Sequence, residues 1–583
     1  MSLNRALLAA TLALSLAACS QQNAAVPDAS TPDLSSSGNY LVGFKENPLS
    51  AQNLDAQSLD AQALEAQAVL QAQAVTAAGG TLKQQWADIS AAAVQLSPSA
   101  LAALKANPNV EYVELEAVHH ALGWPSGSLT REGSSPALSS QALKAQAIFN
   151  PSGEYTWGDN ALKVPQLRAS NYTGAGVAVC VGDTGIDATH PEFARKLKGY
   201  KNFVTTDANR EDPYKLNDVD GHGTHVAGTV FAQLGAGTGA AARQPGMDAN
   251  GVVGVATGVN LYMARVLGDS GSGSSSGIIN GVNWCAAQLK SQGGTENKVV
   301  VSLSLGGGRA SQTEQRAYTA AYNKGVLIVA ATGNDGAAVS YPAAYTNVVG
   351  VGATDADNAK ASFSNFGTQV DLVGPGVGVL SSVPLGKGTA ANVTALGRSF
   401  AEVTSADLSG KGSVTGTVAV AGGTNNEFCG TTASSAAING KIALIKRGTC
   451  TFEEKTANAV RNGATGVLIY NNALGAPGIG LTNAYTVPVV GITQTDGEAL
   501  LAAGAPTATL SVTGADYAYF DGTSMATPHV SAAAAVVWAA KPTLTNTGLL
   551  NLLTTTATDL GTAGKDNNFG HGLVNPLKAI TGQ

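Results

Sequence analysis

The chain has 583 residues, a formal net charge of −7 and 13% charged residues, against roughly 25% in ordinary soluble proteins. It is too long for one compact core, and about two to four domains are expected. Its diffuse acidity argues against a nucleic-acid binder, while 70 glycines and five cysteines suit an exported, loop-rich protein.

Residues 1–19, "MSLNRALLAATLALSLAAC", place Arg5 before an apolar stretch and small residues before Cys19. This is an export signal, too short to span a bilayer as a helix. "LAAC" resembles the lipobox of bacterial lipoproteins, with Cys19 as the lipidated residue; a signal peptide cut nearby is the alternative. No later apolar run approaches about 20 residues, so membrane contact is expected only through that anchor. Residues 20–38 read as a Ser/Pro/Asn tether.

Residues 39–120 run strand, helix, strand, strand, helix, strand, from "NYLVGFKE" to "NVEYVELEAV". That order predicts a small α+β domain of ferredoxin-like, split βαβ type. Its first helix carries the near-repeat "LDAQSLDAQALEAQA" from Leu54. A period of five drifts around a helix, so this part is expected to extend outward as a polar spacer. Residues 121–151, rich in Ser, Gly and Pro, read as an exposed linker.

From residue 152 the pattern changes. "GVAVCVGD", "LYMARVLG", "KVVVSLSLGG" and "GVLIVAATGND" are continuous apolar runs separated by helical stretches. They predict an α/β domain, a parallel sheet covered by helices on both faces. The pattern spans 152–390 and resumes over 516–583. Between them, 391–515 turns to Thr, Gly and Ala with a smaller βα pattern of its own, including a Thr451/Glu454 capping box, and reads as an inserted domain.

Four residues stand out chemically. Asp183 ends an apolar strand, where open α/β sheets place their sites, although an Asp there more often caps a turn. His222 opens a helix in "DVDGHGTHVAGT"; HGTH lacks the zinc-protease spacing and glutamate, and His225 reads as structural. Asn334 ends "GVLIVAATGND", placed either to donate to an oxyanion or to hold a turn. Ser524, in "DGTSMATPHVSAAAA", heads a helix whose Val530, Ala533, Ala534, Val537 and Trp538 form a core-facing stripe. Ala526 replaces the second glycine of an esterase elbow.

The order Asp, His, Ser excludes the chymotrypsin and α/β-hydrolase arrangements. "GDTGIDATHPEF", "GHGTHVAGT", "SLGGG", "ATGND" and "GTSMATPHVSAAAA" together resemble the signatures of subtilases, the subtilisin-like serine peptidases. The resemblance implies Asp183, His222 and Ser524 as catalytic triad, with Asn334 and the Ser524 N–H as oxyanion donors. It implies peptide substrates lying along Gly271, Ser272 and Gly273 on one edge and Ser304, Leu305 and Gly306 on the other. Ala331 and Gly333 join Gly306 around the pocket for the residue before the cut. These are small residues, so an apolar, permissive preference is expected, and no acidic residue there points to basic side chains.

By the same resemblance, 39–120 is an inhibitory propeptide of a self-processing proenzyme, and 391–515 is similar to a protease-associated domain. Catalysis needs no cofactor. Structural calcium is carried by resemblance to Glu192, Asp248, Asn250 and the Val252 carbonyl. With Cys19 lipidated, Cys429–Cys450 is expected as a disulfide inside the insertion, and Cys180 is set to pair with Cys285, with buried free thiols as the alternative. A monomer is expected, at the cell surface or extracellular. Gly182, where the family usually has an aliphatic residue, is expected to loosen its strand end. Two rivals remain at this level: a lipid-anchored binding protein with a degenerate peptidase domain, and an esterase.

Overall fold

The computed structural model describes residues 37–45, 61–125, 153–237, 244, 247–406, 408–473 and 475–583. The export signal with Cys19, the tether, the start of the near-repeat and most of the 121–151 linker lie outside the described residues.

The N-terminal body contains β1 (Gly38–Phe44), α1 (Ala61–Ala77), β2 (Thr81–Trp86), β3 (Ala91–Leu96), α2 (Pro98–Ala106) and β4 (Val110–Leu115). Its sheet is antiparallel in the order β2-β3-β1-β4. Ser97 Oγ accepts the Ala100 N–H to start α2, and Pro98 occupies the first turn, where a missing N–H costs nothing. The described part of α1 does not extend outward as a spacer. Gln85 Nε2 donates to Ala68 O (2.8 Å) and Gln71 Oε1 (3.0 Å), Gln67 Nε2 donates to Ser90 Oγ (2.8 Å), and Val75 is buried. Glutamines that looked like solvated spacer residues therefore fasten the helix to the sheet.

After β4 the chain leaves this body. Residues 118–125, the last five of which the sequence places in an exposed linker, form β5 (Val118–Ala121) and β6 (Trp124–Pro125) and pair with strands of the next domain.

That domain is built on β7 (Ala178–Asp183), β8 (Gly199–Asn202), α3 (His222–Phe231), β9 (Asn260–Arg265), β10 (Ser272–Ser274), α4 (Ser275–Ala286), β11 (Val299–Leu303), β12 (Leu305–Gly306), α5 (Gln312–Asn323), β13 (Leu327–Ala331), β14 (Val348–Thr354), β15 (Leu372–Pro375) and β16 (Val379–Ser382). Seven of these strands make a wholly parallel sheet, ordered β15-β14-β13-β11-β7-β9-β8. Helices on both faces explain the unbroken burial of its central strands. Gly182 does not loosen β7: it pairs with Leu303 and Ala264, and a Cβ there would meet Leu303 Cδ2 at 2.7 Å, so Leu303 already fills the space.

The insertion begins at Gly388, slightly before the composition change at 391, because Gly388–Ala390 pair with Thr513–Ala515. It comprises β17 (Gly388–Ala395), β18 (Arg398–Ser399), β19 (Val403–Ser405), β20 (Gly412–Val420), β21 (Ile442–Lys446), α6 (Phe452–Arg461), β22 (Gly466–Tyr470), β23 (Val489–Ile492) and β24 (Thr507–Ala515). Alternate residues of β21 and β22 feed two apolar clusters: Leu444 and Leu468 enter one, Ile445 and Ile469 the other. Cys429 and Cys450 are bonded here, and Cys180 of β7 is bonded to Cys285 of α4.

The chain returns through β25 (Tyr517–Asp521) into α7 (Thr523–Ala540), which packs beside α3 and across β11, β13, β14 and β15. The sequence predicts one apolar stripe on α7, yet every residue from Thr523 to Trp538 is buried. Its alanines and serines let neighbours close in on all sides.

Candidate active site

Asp183, His222, Ser524 and Asn334 sit on four different elements that meet at the C-terminal edge of the parallel sheet. Asp183 is the last residue of β7 and is wholly buried. Its Oδ1 accepts from the Thr184 N–H and lies 2.7 Å from His222 Nδ1; its Oδ2 is buried without a partner. Burial alone would push the His222 imidazole down, but the charge and hydrogen bond of Asp183, with Asp220 and Asp218 behind, outweigh it and hold the ring above its ordinary value. Fixing Nδ1 on a carboxylate leaves Nε2 facing the groove as the proton acceptor.

Ser524 opens α7 with its N–H unclaimed by the helix. Pro528 explains part of the local geometry. Having no N–H, it cannot bond the Ser524 carbonyl, and Ser304 Oγ donates to that oxygen instead at 2.8 Å. In return, Ser524 Oγ donates to Ser304 O, also at 2.8 Å, and His222 Nε2 has no partner. To engage the imidazole, the hydroxyl has to leave Ser304 O.

Asn334 follows β13. Its Oδ1 accepts from Thr523 N–H and Thr523 Oγ1, both at 2.9 Å, which turns the amide NH₂ outward. That NH₂ donates to Leu122 O at 2.6 Å, and the Ser524 N–H donates to the same oxygen at 3.2 Å. Two donors thus converge on one carbonyl of the chain's own N-terminal segment. In the sequence Thr523 has no role beyond a helix cap, because its bond to Asn334 joins positions far apart in the chain.

The same segment fills the groove. β5 lies antiparallel between β10 and β12, pairing His120 with Ser272 and Gly306, and Ala121 with Leu305. Ala121 N–H donates to Gly271 O (2.9 Å) and Leu122 N–H to Ser304 O (3.3 Å). Leu122 extends over Gly306, where a Cβ would meet its Cδ1 at 2.7 Å. Beyond it, β6 pairs with Phe520 and Asp521. Gly123 lies against the reactive groups: a Cβ on it would come within 2.9 Å of His222 Nε2 and 2.8 Å of Met525 Sδ. Gly522 is constrained likewise, since a Cβ there would stand 2.3 Å from Leu122 O. Of the residues read as pocket walls, Gly333 backs onto Asn365 and Ser340, and Ala331 is enclosed within β13.

His225 has the structural role read from the sequence. Its Nε2 donates toward Val379 O and Ala518 O, its ring stacks on Phe520, and burial pushes it down to about 3.

The four calcium candidates share a neighbourhood but not a centre. Glu192 Oε1 accepts from the Val252 N–H (2.9 Å) and Tyr517 Oη (2.8 Å), so Val252 enters as a donor. Asn250 O accepts from Gly237 N–H, and Asp248 Oδ1 accepts from Asn250 N–H. Among the described residues, no group of three or more His, Cys, Asp or Glu side chains is arranged to hold a metal ion. Glu192 Oε2 is nevertheless buried without a partner, and burial raises this carboxyl to about 8, with Glu154 adding to the rise.

A model of the subtilase family matches residues 174–461 and 476–572. The chain is 31% identical over 362 residues to subtilisin NAT of Bacillus subtilis subsp. natto, covering 61% of this chain and 76% of that protein. M-protease of Shouchella clausii (strain KSM-K16) is 36% identical over 304 residues, or 52% of this chain and 64% of that protein. The crystal structure of the psychrophilic subtilisin-like protease Apa1 from Pseudoalteromonas sp. AS-11 is 30% identical, with a TM-score of 0.53, covering 74% of this chain and 98% of that one.

Proposed function

The chain belongs to the subtilase family and is a serine endopeptidase; from that premise we propose that it is an exported proenzyme that cuts itself between Leu122 and Gly123. The observation that carries this reading is the Leu122 carbonyl, held by Asn334 Nδ2 at 2.6 Å and Ser524 N–H at 3.2 Å.

In this reading Ser524 Oγ attacks the Leu122 carbonyl carbon while His222 Nε2 takes the hydroxyl proton. Asp183 holds the imidazole in the required tautomer and stabilises the imidazolium. The carbonyl oxygen becomes an oxyanion between the Asn334 amide and the Ser524 N–H. As the C–N bond breaks, His222 returns its proton to the Gly123 nitrogen, and water then releases the acyl group by the reverse sequence. Substrates follow the leader's path, adding a strand between 271–273 and 304–306, with an apolar residue such as leucine before the cut.

The N-terminal body acts as inhibitor as well as first substrate. Support comes from its grip on the enzyme: Glu114 accepts from Ser311 Oγ and the Gln312 and Thr313 N–H groups at the start of α5, and Glu116 Oε1 accepts from Ser276 N–H at the start of α4. Secretion with a lipid on Cys19, a protease-associated role for the insertion as lid or substrate-recruiting surface, a monomeric state and a structural calcium near Glu192 belong to the same proposal. The chemistry uses none of them.

Casein digestion tests the catalytic assignment. The wild-type enzyme is expected to digest casein and to be labelled by a fluorophosphonate on Ser524, and Ser524→Ala to do neither. Casein digestion that survives in Ser524→Ala would overturn it.

A further inference from the structure

β5 exposes Val118 and His120 but buries His119 completely, as alternation along a strand requires. His119 is the fourth residue before the Leu122–Gly123 bond. Its Nε2 lies 2.6 Å from Glu314 Oε1, and neither side chain is exposed at all. Glu314 belongs to the first turn of α5, where its N–H is capped by Ser311 Oγ. Its other oxygen accepts from Tyr345 Oη at 2.7 Å. Gly307 makes room for the ring, since a Cβ there would come within 3.1 Å of His119 Nδ1.

Oε1 of Glu314 is therefore the part of this carboxylate that faces the groove occupant. In an empty groove water can serve it. The Ser275 side chain also hydrogen-bonds this carboxylate, but once a peptide strand seals the pocket the occupant has to replace the water on Oε1. An apolar side chain would leave the buried carboxylate with the Tyr345 and Ser275 side chains alone, and an acidic one would add a like charge.

We propose that Glu314 makes this fourth subsite on the acyl side of the cut selective for histidine, in protein substrates as in the chain's own leader. The inference rests on the groove and cut assigned under Proposed function. The imidazole fits because its Nε2 reaches Oε1 within the width of one strand position, while its ring fills the space beside Gly307.

The test uses the mature enzyme and internally quenched peptides of sequence X-His-Ala-Leu-Gly-Trp, with X as His, Leu or Glu, cut positions being read by mass spectrometry. The His peptide is expected to exceed the Leu peptide in kcat/KM by about thirtyfold, the scale of removing one partner of a buried hydrogen-bonded charge pair, and to exceed the Glu peptide further. Glu314→Leu should bring the His/Leu ratio to one or below, with its melting temperature compared to wild type as the report on folding. Glu314→Gln, able to accept but uncharged, should lie between. A wild-type His/Leu ratio below about threefold overturns the proposal whether or not the variants fold, as does a ratio unchanged in Glu314→Leu. Cleavage after Leu with a flat ratio indicts this subsite alone. No cleavage of any peptide by the wild-type enzyme indicts the groove assignment beneath it as well.

Discussion

Two buried histidine–carboxylate pairs lie along one groove, and they differ in what holds them. His222 and Asp183, 2.7 Å apart, both come from the catalytic domain. His119 and Glu314, 2.6 Å apart, join the strand that follows the N-terminal body to the catalytic domain. The first pair is permanent, and its second nitrogen faces the Leu122–Gly123 bond. In the proposed scheme the second pair exists only while a strand fills the groove; its second nitrogen is packed near Gly307. In that scheme, similar geometry serves proton transfer in one place and recognition in the other. Location relative to the reacting carbonyl makes the difference.

Breaking the permanent pair should have the largest effect. Asp183→Ala removes both the orientation and the charge support of His222, and the corresponding loss in a subtilisin is about 3 × 10⁴ in kcat. A drop of that order is expected, and the acid limb of the pH–rate profile should move to lower pH, because the charge that raises the imidazole is gone. Steady-state kinetics on a peptide cut by both enzymes would check each part.

Asn334→Ala should cost less, about 10²–10³ in turnover, the figure for the equivalent donor in a subtilisin. The Ser524 N–H remains as a donor, so the variant should still mature, only slowly. A time course of leader release distinguishes slow maturation from none.

His119→Leu breaks the transient pair alone. If the chain is cut after Leu122, the mature enzyme lacks this residue and its casein activity should equal wild type. The cut leader, however, should be held about tenfold or more weakly, since the buried Glu314 carboxylate loses its imidazole partner. Size-exclusion of the processed complex at equal concentration would show earlier loss of the leader.

The smallest effect concerns a carboxyl outside both pairs. Burial raises Glu192 from 4.5 to about 8. Between those values the folded chain keeps a proton that the unfolded chain has released. Its contribution to stability therefore falls as pH rises through that window, and levels off above about 8. Glu192→Gln should flatten this slope in thermal melts. A cation bound there would reverse the picture by favouring the carboxylate, so a chelator that lowers the melting temperature at pH 8 would argue for calcium.

How much of this was legible in the sequence depends on where each signal resides. Asp183, His222, Asn334 and Ser524 are readable because each lies at a strand end or helix start within a local motif, and their order along the chain selects one arrangement. The parallel sheet is readable because burial on both faces leaves unbroken apolar runs. Residues 118–125 are not readable as structure. β5 borrows its ladder from Ser272–Ser274 and Leu305–Gly306, far along the chain, so no periodicity of its own announces it. Glu314 was passed over for a similar reason, since an acid in the first turn of a helix looks like a dipole partner until His119 is found against it. In α1, glutamines that read as solvated bond the sheet. In α7, small residues conceal burial on every side.

In the proposed scheme, Leu122 and Gly123 flank the bond this enzyme cuts in itself. N-terminal sequencing of the chain, expressed where no other peptidase acts, tests it most directly. The catalytic fragment of the wild-type protein should begin at Gly123, and Ser524→Ala should accumulate with residues 39–122 still joined to it. A wild-type fragment beginning elsewhere while residues 118–125 stay intact, or a Ser524→Ala chain processed at the wild-type rate, would contradict the account.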